Sequence, residues 1–501
     1  MTAPLLVDLA GTTVAPEERE LLRRPGVAGV CLFRRNLLGF EQGRALVAEA
    51  LEAAGRPLVI AIDQEGGGVV RLTQAAVPPS PMALGAVDDP ALSERMGAAT
   101  GRGLRAIGVN VDFAPSADVQ SNPANPIIGD RSFGADPGLV GRHVAAFVRG
   151  LQATGVAATL KHFPGHGDVA VDSHLALPRL AADADRLADL EWPPFEAGLA
   201  AGAAAVMTGH LLVPVLDPER PATLSPTILQ GALRERLGFR GALFTDALDM
   251  RAIADGWGVP EAAVLAVAAG VDVPVVCNAG PDLYHRMLDA LEDGERDGRL
   301  DPARVREAWT RVETLLRAYP SAALDFDAAV QAADDATEAE AARRAITRLG
   351  RPPAIVPGRP VALFGERAQA QAGAADAARP VAALAEALVA AGVSVRWATA
   401  LDELPAALRD AQALVVATAE RRPLDAAAIA DYRRAFELAR TAGLPAVHAA
   451  LWNPDHVRRL PGPALLSYGF RPASVAALAG ALLGAEAPGR APVPLAPAPD
   501  G

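Results

Sequence analysis

Residues 156–168 read VAATLKHFPGHGD. The run Val156–Lys161 is almost continuously apolar until it meets Lys161 and His162, and a Pro/Gly turn follows. A strand apolar on both faces belongs to a parallel sheet covered by helices. A helical pattern, Val140–Ala153, precedes it, with apolar residues spaced three and four apart. The same unit recurs on either side. Upstream lie the strand candidates Leu5–Leu9, Val27–Phe33, Leu58–Asp63 and Val109–Ala114; downstream lie Ala204–Thr208, Gly241–Thr245 and Val271–Cys277. Helical patterns fall between most of them, at Phe40–Ala54, Leu92–Ile107, Pro226–Leu237 and Pro260–Ala269. Eight βα units in about 320 residues predict an α/β fold, a (β/α)₈ TIM-type barrel. An open doubly wound sheet is the alternative, and the count of eight favours the barrel.

Beyond the barrel the chain changes character. Residues 321–360 read as a helical connector ending in the Pro-rich RPPAIVPGRP (351–360). A second α/β series follows at Val361–Phe364, Val393–Trp397, Ala413–Thr418, Pro445–Ala450 and Ala464–Tyr468. The expected organisation is a catalytic barrel over 1–320, the connector over 321–360, a smaller doubly wound sandwich over 361–490 and a Pro-rich tail over 491–501. Of 501 residues, 51% are hydrophobic and 21% charged, which supports large cores and excludes disorder as the main state. The formal charge of −12 gives no basic footprint for nucleic acid or anionic lipid. Two cysteines far apart, Cys31 and Cys277, make neither a disulfide framework nor a cysteine-based zinc site. The start carries no basic n-region, and the uncharged run Ala197–Leu216 is broken by glycines, His210 and Pro214 and reads as a helix end plus a strand. The expectation is a cytoplasmic protein with no nucleic-acid or membrane partner. Its oligomeric state cannot be read.

Chemistry in a barrel collects at the C-terminal ends of the strands. Five of the eight runs end there in titratable residues: Asp63, Asp118, Lys161 with His162, His210, and Asp246. Lys161 is the only lysine among 47 basic residues, so a compact point donor was kept where arginine serves everywhere else. His162, His166 and His174 lie within thirteen residues, with Asp168 and Asp172 among them. One reading is a metal-dependent hydrolase using His162, His166 and His210. The Phe163-Pro164-Gly165 insert breaks the helix that an i, i+4 ligand pair needs, which weighs against it. The other reading is acid/base work, with Asp172 orienting His174 across a short loop. Asp246 and Asp249 end a very apolar strand three residues apart. A carboxylate at the mouth can attack an anomeric carbon. The strand-end position favours Asp246, and Asp249 reads better as first-turn helix chemistry.

The combination of DQEGG (63–67), IGDRSFG (128–134), KHFPGHGD with DSH (161–174) and TDALDM (245–250) resembles glycoside hydrolase family 3. The DSH loop resembles that of its β-N-acetylhexosaminidase branch, in a two-domain form. YGFRPASVAALAGALLG (468–484) carries the likeness more loosely into the second domain. The resemblance implies a retaining, exo-acting β-N-acetylhexosaminidase. Asp246 would be the nucleophile, His174 the acid/base and Asp172 its partner. Asp63, Arg71, Arg131, Lys161 and His162 would hold the sugar. It implies no metal and no organic cofactor, and a β-N-acetylglucosaminide substrate, muropeptide fragments from cell-wall recycling included. A β-glucosidase of the same family is the close alternative. Gly68 and Gly209 depart from residues common in the family, and neither removes a catalytic group.

Overall fold

The computed structural model describes residues 2–170, 173, 176–325, 327–366 and 379–495. The first half of the chain closes on itself. Strands β1 (Leu5–Asp8), β2 (Val27–Leu32), β3 (Val59–Ile62), β4 (Val111–Asp112), β5 (Ala157–Phe163), β6 (Ala205–Thr208), β7 (Ala242–Ala247) and β8 (Val273–Val275) pair in chain order, all parallel, and β8 returns to β1. This is the eight-stranded barrel expected from the sequence. The reason is visible in burial: every residue of β1 to β6 and of β8 is buried, from the barrel interior on one side and from the helices on the other. Helices begin on local signals. Pro90–Ile107 is capped by Asp89, whose side chain accepts from Ala91 N and Leu92 N, and Pro137–Ala153 is capped by Asp136.

The second domain holds a six-stranded sheet built from β9 (Thr347–Leu349), β10 (Val361–Phe364), β11 (Val395–Ala398), β12 (Leu414–Thr418), β13 (Ala446–Ala450) and β14 (Ala464–Leu466), in the order β11-β10-β12-β13-β14-β9. Five strands are parallel, as expected. The sixth, β9, runs antiparallel to β14 and lies inside the stretch read as connector. Three residues with one exposed side chain carry no periodic signal, so the edge strand is set by its partner and not by its own sequence. The helix Ala328–Ala345 before it packs on Pro81–Val87 of the barrel and Pro472–Leu482 of the sandwich. The chain around residues 489–492 docks back on both domains: Gly489 N donates to Ile346 O at 2.9 Å, Arg490 N to Ala86 O at 2.8 Å and Ala135 N to Pro492 O at 2.9 Å.

The uncharged run Ala197–Leu216 is the end of helix Pro193–Ala200 followed by β6. Among the described residues no single helix is long and apolar enough to cross a membrane.

Candidate active site

The mouth of the barrel encloses a cavity of about 280 Å³ lined by residues from most strand ends. Past β3 the chain stays extended through Asp63, Gln64 and Glu65. The two-residue period sets Asp63 and Glu65 on one face and Gln64 on the other. Gln64 ties the next turn, its Oε1 accepting from Arg71 N at 2.8 Å and Leu72 N at 3.1 Å. The chain then reverses at Gly66 and Gly67, with φ of 99° and 54°. A Cβ at Gly66 would stand 2.5 Å from Pro78 O, and one at Gly67 2.7 Å from Asp130 Oδ2, so both positions require glycine.

Five charges interlock beside this turn. Lys161 Nζ lies 2.7 Å from Asp63 Oδ1 and 2.6 Å from Glu65 Oε1. Arg131 grips Glu65 with two bonds, Nε to Oε2 and Nη2 to Oε1, each 2.8 Å. Arg71 Nη2 stands 3.7 Å from Asp63 Oδ2. Glu65, Lys161 and Arg131 are buried and Asp63 is partly open to the cavity. Burial disfavours the charges of Glu65, Lys161 and Arg131, and mutual attraction outweighs it. The Arg131 and Lys161 cations hold Glu65 far below the usual carboxylate range, while Asp63 and Glu65 raise Lys161. A compact ammonium fits between two carboxylates where a planar guanidinium would not, which accounts for the single lysine.

His162 belongs to the same lattice. Its Nδ1 lies 2.7 Å from Asp118 Oδ2, so that nitrogen donates, and Nε2 is left to accept from Arg131 Nη2 at 3.2 Å. Asp118 also accepts from the backbone N of His162 and, at 2.7 Å, of His166. Burial works against its charge, but His162 and these donors hold its pKa below the ordinary value. The His166 ring stands edge-on to His162, 5.6 Å between centroids, and among the described residues neither of its nitrogens has a hydrogen-bond partner. Burial and the neighbouring His162 push its pKa down to about 4. A Cβ at Gly209 would come within 3.1 Å of His162 Cβ, so glycine leaves this ring its room.

On the opposite wall Asp246, at the end of β7, accepts from Ala247 N at 2.8 Å and lines the cavity. Asp249 lines it too and does not cap the helix Arg251–Trp257. Its Oδ1 reaches across to accept from Cys277 N at 2.8 Å, and burial raises its pKa. Ser173 lines the cavity; Asp172 and His174 on either side of it lie outside the described residues.

The three histidines of the metal reading do not form a ligand set. His210 Nε2 points at the Ala247 carbonyl at 2.9 Å and so carries the hydrogen, and Nδ1 faces the Thr223 hydroxyl at 2.8 Å. Both nitrogens of His162 are also engaged. Among the described residues no group of three or more His, Cys, Asp or Glu side chains has the geometry to hold a metal ion.

The structure thus gathers Asp63, Arg71, Arg131, Lys161, His162 and Asp246 around one volume. Sequence reasoning did not single out Glu65, the counter-ion on which both buried cations converge, and gave Asp118 no role. The alternation Asp63-x-Glu65 was the available signal.

Comparison with known proteins fits this geometry. The family model described as "Glycosyl hydrolase family 3 N terminal domain" matches residues 5–315. The chain belongs to glycosyl hydrolase family 3. It is therefore a glycoside hydrolase acting on a carbohydrate. A β-hexosaminidase of Stenotrophomonas maltophilia (strain K279a) is 42% identical over 297 residues, spanning 58% of this chain and 87% of that protein. Among family 3 structures, a β-N-acetylglucosaminidase from Paenibacillus sp. str. FPU-7 superposes with a TM-score of 0.91 at 33% identity, covering 98% of this chain and 97% of that one. NagZ from Neisseria gonorrhoeae, in complex with N-trifluoroacetyl-D-glucosamine, covers 69% of this chain and 98% of its own length at 31% identity and a TM-score of 0.57.

Proposed function

We propose that the chain is a retaining, exo-acting β-N-acetylhexosaminidase that releases terminal β-linked N-acetylglucosamine. One observation carries the reading: across a single-sugar-sized cavity the strand-end carboxylate Asp246 faces the lattice of Asp63, Lys161, Glu65 and Arg131. Ligand sites for drug-sized molecules run to about 300–1,000 Å³, so 280 Å³ suits one terminal ring, the exo mode. The similarity to hexosaminidases along the whole barrel supports the acetamido sugar.

In this reading Asp63, Arg71, Arg131, Lys161 and His162 hold the ring hydroxyls with charged groups already compensated before the sugar enters. Asp246 attacks the anomeric carbon and forms the covalent glycosyl-enzyme. His174, steadied by Asp172, protonates the departing oxygen and then takes a proton from water for the second displacement. Cell-wall fragments in the cytoplasm are the proposed natural setting, with muropeptide-derived glycosides as substrates.

A panel of aryl β-glycosides differing only at the 2-substituent tests the substrate. The 2-acetamido-glucoside should turn over fastest, and the first product should keep the β configuration by NMR. Faster turnover of the plain glucoside would reject the acetamido assignment and leave the retaining mechanism standing.

A further inference from the structure

The second domain touches the loop that carries Arg131. Arg421, just beyond β12, donates through Nη2 to the Ile127 carbonyl, and Arg131 Nη1 points at the same oxygen at 3.5 Å. Ile127 itself lines the cavity. Three residues on, Asp130 is buried, and its Oδ2 packs against Gly67 of the turn that follows Glu65. The Arg421 end of the contact is fixed from behind, since Asn453 Nδ2 donates to the Arg421 carbonyl at 2.8 Å.

We propose that Arg421 is a positioning residue of the sugar site, setting Arg131 against Glu65 through the Ile127–Arg131 loop. The proposal rests on reading the barrel cavity as the sugar site. The second domain then acts as a part of the glycosidase: none of its described residues lines the cavity, and it fixes where one binding guanidinium stands. A misplacement of about 1 Å in a positioning group can cost two orders of magnitude in rate, so a loop held from a neighbouring domain is a place where affinity can be set.

Asp130 provides a second readout. Burial pushes its carboxyl up to about 6 against the pull of Arg421 and Arg131, while Glu65 adds to the upward push. Loss of Arg421 drives it higher, so the acid side of the pH profile for KM should move toward neutrality.

The test uses the full chain and 4-nitrophenyl 2-acetamido-2-deoxy-β-glucoside. Arg421→Met should raise KM on the order of tenfold with kcat within about threefold. The same variant should move the acid limb of KM up by at least about half a unit, and Arg421→Lys, which keeps the charge, should leave that limb in place. If Arg421 acts through Arg131, Arg421→Met combined with Arg131→Lys should be no more than about twofold worse in KM than Arg131→Lys alone. Multiplicative effects in the double variant overturn the proposal. So do wild-type KM and pH profile in Arg421→Met, whatever happens to its melting temperature. Should Arg131→Lys itself leave KM unchanged, the sugar-site reading falls and takes the proposal with it; a raised KM there with a silent Arg421→Met variant removes the proposal alone.

Discussion

Both domains place polar side chains at the C-terminal ends of parallel strands, and the two sets differ in kind. In the barrel they are charged: Asp63, Glu65, Lys161 and Arg131 touch one another around an open volume. In the second domain they knit into a packed network. The Thr418 hydroxyl meets His448 Nε2 at 2.8 Å and His456 Nδ1 at 3.1 Å, and His456 Nε2 points at the Arg422 carbonyl at 2.9 Å. Burial pushes the His448 pKa down to about 3, so the ring stays neutral. Strand ends of both architectures are favoured ligand addresses. What separates a reacting site from a structural one here is paired charge facing empty space.

The largest expected effect removes Asp246, the proposed nucleophile. Asp246→Ala should cost four decades or more in turnover, on the order of the losses seen when covalent catalytic groups are deleted. A mechanism-based fluorosugar should label Asp246 in peptide mapping; label on Asp249 would show that the inner acid of the pair reacts.

A smaller and more selective effect is expected at His174. His174→Ala should slow substrates with poor leaving groups far more than activated aryl glycosides, which depart without protonation. Azide should restore rate on the activated substrates by attacking the stranded glycosyl-enzyme. A uniform loss across leaving groups with no azide rescue would take the acid/base role away from His174.

The smallest effect belongs to the second domain and should appear in stability. His448 has a folded pKa below its ordinary 6.5, so the fold favours the neutral ring. That contribution is complete above pH 6.5 and is lost as pH falls from there toward about 3. His448→Gln should therefore narrow the gap between melting temperatures at pH 7.5 and pH 5, by a few degrees at about 2–4 °C per kcal/mol. An unchanged gap would mean that this histidine is not neutral by burial.

The barrel was legible because each of its strands is a short apolar run bounded by helical periodicity, and closure at eight is a matter of counting. The site was legible as polarity at strand ends. Glu65 escaped because its partners, Lys161 and Arg131, are far away in sequence, and a carboxylate before two glycines reads locally as turn chemistry. Asp249 was expected in a first helical turn and instead bonds to Cys277, a contact that exists only once β7 and β8 are neighbours. The edge strand β9 escaped for the same reason: three residues become a strand when β14 offers hydrogen bonds. Local patterns decide elements, and contacts over long sequence separations decide which polar groups meet.

The lone lysine has an analytical consequence. With Lys161 buried in β5, the native surface carries arginine cations and no ε-amino group. Amine-directed dyes and cross-linkers should leave the folded chain's side chains nearly untouched. A protease restricted to lysine has one bond to cut, buried in the fifth barrel strand, and can reach it only when that part of the barrel opens. Appearance of two fragments would thus act as a clock for barrel unfolding, read on a gel without any engineered label.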